Sequence, residues 1–274
     1  MKRRVVIHAG FHKTGTTTLQ HTLAQNADFL APHIEMCLPK NPLLDLLALT
    51  SKNFSQMRNR PTRQALRNEA EAFFETFDAH DPRPLLISHE NLCGHYPGYK
   101  NIRNYSAAGP AMKLISEGFE AALGSLETLS FYFSTRRNGW LASCHWQRLK
   151  QKRYKLSLNE FEARYRGADD FDTVLADMRA RLGDVAMTSS ALEDMGHPVS
   201  PILALFGLSH LQSALTIPPN TNVSASSNAR AALVDAHKND LRGPDYWALR
   251  RSIFGEDDTE MGTDPSDAFA SSSR

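Results

Sequence analysis

Cysteine is scarce. Only Cys37, Cys93 and Cys144 occur in 274 residues, far apart and without a CxxC pair. That spacing argues against a disulfide framework or a zinc site, and it fits a reducing compartment. Cys144 lies near a basic cluster, the setting of a reactive thiol, yet a buried and inert cysteine is the expectation. Long hydrophobic runs are missing too. The N-terminal apolar stretch stops at His8, short of the roughly 7–15 residues of a signal peptide. The richest segment, residues 42–50, is broken by Asp45, and a membrane span needs about 18 apolar residues. The protein is therefore expected to be soluble and cytoplasmic, with no membrane insertion. An excess of one charge sign is also lacking: 31 Lys and Arg face 30 Asp and Glu, a formal +1. So balanced a field predicts no nucleic-acid partner, and any anion site must be local.

What is present is ordinary globular composition, 41% hydrophobic and 22% charged, enough for a continuous core. Short β-branched or apolar runs predict strands at 4–7, 84–88, 126–135 and 184–189. Helical patterns fill 16–25, 41–51, 61–80, 111–123, 139–152, 171–182 and 198–206, with another from Asn228. Residues 94–109, rich in Gly, Pro, Tyr and Asn, form a long loop of the kind that carries function. Strands separated by helices predict an α/β fold, a mostly parallel sheet covered on both faces. One domain is expected over residues 1–255. Beyond it, 256–274 holds six acidic residues and one basic one, and is expected to be a disordered tail.

The most informative segment runs Gly10-Phe-His12-Lys13-Thr14-Gly15-Thr16-Thr17-Thr18-Leu19, between a strand and a helix. Backbone N–H groups of such a loop converge on an anion, and the following helix start adds unpaired donors and partial positive charge. Gly10 and Gly15 permit unusual φ values and close approach; Lys13 adds a mobile charge. The glycines have Walker A spacing, but Thr16 stands where GxxxxGK[ST] requires lysine. The lysine has moved inside the loop, which suits phosphate binding better than Mg-nucleotide chemistry.

HAGFHKTGTTTLQ resembles the phosphosulfate loop of sulfotransferases that use 3′-phosphoadenosine 5′-phosphosulfate (PAPS), in their bacterial and glycan-modifying branches. The resemblance implies a P-loop-NTPase-like three-layer sandwich. It implies that His12, Lys13, Thr14, Gly15, Thr16 and Thr17 hold the 5′-phosphosulfate, with no metal. The family's second anchor, for the 3′-phosphate, is a strand followed by Arg and then Ser. Here Phe131-Tyr-Phe-Ser-Thr-Arg136-Arg137 leads to Ser143, one residue shorter than the family spacing. Arg136 and Arg137 both qualify, and Arg136 is favoured; a planar guanidinium suits phosphate. Asn222 and Ser224 resemble an Asn-x-Ser element of a loop that closes over the nucleotide, and an N-cap loop explains them equally well. The resemblance is recognisable over residues 4–160.

Sulfuryl transfer to a hydroxyl or amine calls for a base. His89 and Glu90 follow the strand at 84–88, where an open α/β sheet places its chemistry; His89 titrates in the right range, and Glu90 could serve if burial raises its pKa. The acceptor, a small molecule or a glycan, is not readable. Between residues 136 and 155 lie seven basic and no acidic side chains, with Trp140, Trp146 and Tyr154 interleaved. They form either a guide for an anionic or carbohydrate acceptor or, more simply, a solvated helix face over buried tryptophans. Two other classes stay open: a nucleotide kinase or NTPase with an altered P-loop, and a non-catalytic nucleotide-binding relative.

Overall fold

The computed structural model describes residues 3–151, 153–219 and 226–255. Asn222, Ser224 and the acidic tail lie outside the described residues. The described residues divide into two compact units, the first made of those within 1–138 and 167–220, the second of those within 139–166 and 221–274.

The first unit is built on a five-stranded, wholly parallel sheet. Its strands are β1 (Val5–His8), β2 (Glu35–Cys37), β3 (Leu85–Ser88), β4 (Leu129–Thr135) and β5 (Ala186–Ala191), in the order β2-β3-β1-β4-β5. Central β1 is buried throughout, as a parallel strand covered on both faces must be. Edge strand β2 is absent from the sequence expectation. Its three residues, Glu-Met-Cys, are too few to show a period, and pairing with β3 makes them a strand.

The helices are α1 (Thr16–Gln25), α2 (Ala27–Leu30), α3 (Pro42–Met57), α4 (Arg60–Phe74) and α5 (Ala108–Leu123), then α6 (Trp140–Gln151), α7 (Leu158–Arg164), α8 (Phe171–Leu182), α9 (Ser200–Leu205), α10 (Ser227–Lys238) and α11 (Gly243–Phe254). The β1-to-β2 connection runs one way across the sheet and β3-to-β4 runs back, so right-handed crossovers place α1 and α5 on opposite faces. On one face Val6, Leu86 and Tyr132 pack with Leu19 and Leu23 of α1 and Ile202 and Leu203 of α9. The opposite face buries Ile7, Ile87 and Phe133. Helix starts are specified locally: Asn41 accepts from the Leu43 and Leu44 amides, Asn59 from Thr62, and Asp170 from Thr173.

The second unit contains α6, α7, α10 and α11. Leu149, Leu233 and Val234 form its buried cluster. A cavity of about 430 Å³ lies within it, lined by Ala142, His145, Leu158, Arg230 and Val234 among others.

No helix among the described residues is long and apolar enough to cross a membrane.

Candidate functional site

Strand order decides where the site lies. The chain leaves β1 toward β2 and leaves β4 toward β5, so the connections diverge between neighbours β1 and β4. In open α/β sheets ligands bind at this switch point, beyond the carboxyl ends of the strands. The glycine- and threonine-rich loop follows β1, Arg136 follows β4, and His89 and Glu90 follow β3. Each segment singled out in the sequence of the first unit therefore emerges at the same sheet edge.

The loop from Ala9 to Gly15 is held on every side. Phe11 anchors it in the core, its ring centroid 4.6 Å from Phe171, 4.7 Å from Tyr105 and 5.8 Å from Phe133. The buried Cys93 thiol donates to the Ala9 carbonyl, and burial pushes its pKa up, so it is an inert thiol. Two residues take left-handed backbone conformations: Gly15 at φ +91° and Lys13 at φ +65°. For a lysine that conformation costs about 1–2 kcal/mol, and left-handed residues of this kind occur in the backbone nests that bind anions. Gly15 N-caps α1 without a side chain, and the first turn of α1 holds no acidic residue, so its amides face no built-in competitor for an anion. Gly10 has another role than the one expected of it. Its φ is not positive; a Cβ there would lie 2.5 Å from His8 Nε2 and 2.6 Å from Ser134 Oγ.

His12 is a pin rather than an open donor. Its backbone N–H donates to the Tyr105 hydroxyl (3.1 Å), Nδ1 meets the same hydroxyl at 2.8 Å, and Nε2 meets Asn91 Oδ1 at 2.8 Å. Burial pushes its pKa down to about 4; Lys13 and Lys52 push the same way, against Glu90 and Asn91. A neutral ring fits all three contacts: Nε2–H donates to Asn91, and Nδ1 accepts from Tyr105, which accepts from the backbone amide. Thr14 is buried, Thr16 is buried and Thr17 is exposed.

His89 and Glu90 differ in kind. His89 N-caps the short turn at Glu90–Cys93, its Nδ1 accepting from the Asn91 amide at 3.2 Å, while Nε2 lies 3.5 Å from Asp45 of α3. Burial lowers its pKa, so at neutral pH the ring proton sits on Nε2, toward Asp45. No lone pair is left to take a further proton. Burial acts to raise the Glu90 carboxyl, but the positive charge that His89 and His12 take on when protonated in acid and the hydrogen bond from Gln20 act against it, and its pKa falls below the ordinary range. Glu90 is thus a carboxylate at neutral pH, with Oε2 accepting from Gln20 at 3.0 Å.

The two arginines also separate. Arg137 spends its fork on both oxygens of Asp194, and the Arg137 and Asn138 amides donate to Glu193. Arg136 is half-buried and its Nε donates to the Asn138 carbonyl at 2.8 Å. Ser143 belongs to the second unit, where its hydroxyl donates to the Gly139 carbonyl.

Sequence reasoning did not find His8, Gln20, Asp45, Lys52, Asn91, Tyr105 or Ser134. Asp45 and Lys52, seven residues apart on α3, share a helix face and were open to such a search. The others meet only through folding. The loop expected over 94–109 is irregular from 94 to 107, where α5 takes over, but it is packed: Tyr96, Tyr99 and Tyr105 are buried, and the Tyr105 hydroxyl bonds His12 of the glycine- and threonine-rich loop.

Compared with family models, with curated proteins and with solved structures, the chain finds no match.

Proposed function

We propose that this protein transfers the sulfuryl group of PAPS to a hydroxyl or amine. The observation that carries the proposal is the meeting, at one edge of the sheet, of a helix start without a side-chain cap, preceded by Lys13 in a left-handed turn, with the Glu90 carboxyl held by Gln20. The resemblance of residues 8–20 to a phosphosulfate loop supports the choice of donor.

In the proposed reaction the loop amides and Lys13 hold the 5′-phosphosulfate. The acceptor oxygen or nitrogen attacks sulfur in line. A new bond to sulfur forms, the bridging bond from sulfur to the 5′-phosphate oxygen breaks, and its electron pair leaves with adenosine 3′,5′-diphosphate. Lys13 and the helix start stabilise that charge. Glu90 takes the acceptor proton; His89, with Nδ1 engaged and Nε2 protonated, orients the turn. Arg136 is the favoured partner of the 3′-phosphate, since Arg137 is committed to Asp194. The acceptor is a small molecule or a glycan.

Calorimetric binding of adenosine 3′,5′-diphosphate in EDTA, compared with Mg-ATP, tests the donor. Micromolar binding of the diphosphate that is lost in Lys13→Ala and weakened in Arg136→Ala supports the proposal. Metal-dependent binding of ATP with none of the diphosphate overturns it in favour of a kinase or NTPase. Glu90→Gln is expected to leave diphosphate affinity unchanged and to lower kcat by about 10²–10⁴-fold, the usual worth of a general base.

A further inference from the structure

Beneath the phosphate loop the sheet edge carries a run of buried polar side chains that the proposed reaction does not use. His8 Nδ1 lies 2.8 Å from Ser88 Oγ, and its Nε2 lies 3.3 Å from Ser134 Oγ. Ser134 Oγ is 2.7 Å from Thr14 Oγ1, which bonds the Phe11 carbonyl. On the other side Gln20 Nε2 reaches Ser88 Oγ at 3.3 Å and Glu90 Oε2 at 3.0 Å. His8, Ser88, Ser134, Thr14 and Gln20 are all buried.

Both ends of this chain are pure acceptors, and that fixes every proton within it. The Phe11 carbonyl can only accept, so Thr14 spends its one hydroxyl proton there. Ser134 must then donate to Thr14. With its proton used, Ser134 can only accept from His8, so His8 carries its proton on Nε2. A neutral ring leaves Nδ1 bare, and Ser88 donates to it; burial, which pushes His8 down to about 4, keeps the ring neutral. Ser88 in turn accepts from Gln20. At the far end the Glu90 carboxylate can only accept, which sets the Gln20 amide with its nitrogen toward both partners.

We infer that Gln20, His8 and Ser134 are positioning residues, a hydrogen-bond chain of fixed direction that ties the Glu90 carboxylate to the turn of the phosphate loop. The direction runs from Gln20 to Glu90 on one side, and through Ser88, His8, Ser134 and Thr14 to the Phe11 carbonyl on the other. Unpaired members would be costly in so dry a place, so the chain holds as a unit. It keeps the carboxylate in a fixed relation to the anion cradle, which is what an in-line transfer needs. Only the kinetic part of the inference rests on the sulfotransferase reading.

The first test needs neither ligand nor variant. Ring ¹⁵N shifts of His8 in the full chain at pH 7 are expected to report the Nε2–H tautomer; an Nδ1–H tautomer or an imidazolium overturns the inference. In Gln20→Leu the Glu90 side-chain carboxyl, followed by ¹³C titration, is expected to titrate at higher pH. A titration identical to that of the unaltered protein also overturns it. With PAPS and an acceptor, Gln20→Leu is expected to lose about 10–100-fold in kcat with diphosphate affinity unchanged. Equal loss of affinity and rate would mark a merely structural role. Failure to turn over PAPS at all would fall on the proposed function and leave the tautomer and carboxyl results to decide the chain.

Discussion

Single atoms decide much at this site. Gly10 shows it best, because the space its missing side chain leaves is taken by His8 Nε2 and Ser134 Oγ at 2.5 and 2.6 Å from where a Cβ would stand. Both neighbours are hydrogen-bonded and buried, so neither can withdraw cheaply. Gly10→Ala is expected to cost about 1–3 kcal/mol through overpacking, read as a lower urea midpoint at unchanged slope. Tyr105 makes the converse point. Its hydroxyl serves both the backbone amide and the ring of His12. Tyr105→Phe keeps the ring packing on Phe11 and removes only that oxygen. A loss of about 1–3 kcal/mol is expected, together with weaker binding of adenosine 3′,5′-diphosphate under the proposed function, since the loop loses the hydroxyl that pins His12.

At the scale of elements, local signals and tertiary contacts share the work unevenly. α7 lies outside the sequence expectation, yet it has a complete capping box. Ser157 accepts from the Glu160 amide, and Glu160 accepts from the Ser157 amide and hydroxyl. The helix is seven residues long, too short to stand by propensity alone. Ser157→Ala is therefore expected to cost about 0.5–2 kcal/mol, measured by denaturation. Faster amide exchange confined to residues around 158–164 would show that the cap acts locally. The segment between β3 and α5 shows the opposite balance. It has no regular structure beyond the turn at Glu90–Cys93, but its tyrosines are buried and the ring of Tyr99 stacks on His95 at 3.7 Å. Its order comes from tertiary contacts, this packing together with hydrogen bonds such as Tyr105 to His12 and the His95 amide to Ser55.

The whole molecule should respond to acid in a defined way. His8 and His12 both sit near pKa 4, against an ordinary 6.5, with burial as the main cause. Below pH 6.5 the unfolded chain takes up these protons and the folded protein does not. Stability is thus fully present above about pH 6.5 and falls as pH drops toward 4, by up to about 1.4 kcal/mol per pH unit for each group. His89, His145, His197 and His237 are lowered too and act in the same direction. Lower still, Asp81 is held near pKa 2 by its hydrogen bonds to Arg83 and by Arg3, and that contribution disappears as pH falls from about 4. Urea denaturation between pH 7 and 4 is expected to show a steady fall in midpoint; a flat profile would mean that the histidines are accessible to protons in the folded state.

The chain by itself determined what lies within a short stretch of residues. The strand, loop and helix from Val5 to Gln25 are contiguous, so β-branched residues, a Gly/Thr run and helix formers were enough to place them, and α1 and α8 begin and end where the pattern predicts. The alternation of strands and helices likewise determined the α/β class. Only the tertiary structure decided which side chains meet. Parallel pairing joins strands through long crossovers, so His8 finds Ser134 across 126 positions, His12 finds Tyr105 across 93, and Gln20 finds Glu90 across 70. No periodicity in the sequence encodes those distances. The different settings of Glu90 and His89, and of Arg136 and Arg137, come from partners such as Gln20, Asp45 and Asp194, brought there by the register and order of the strands.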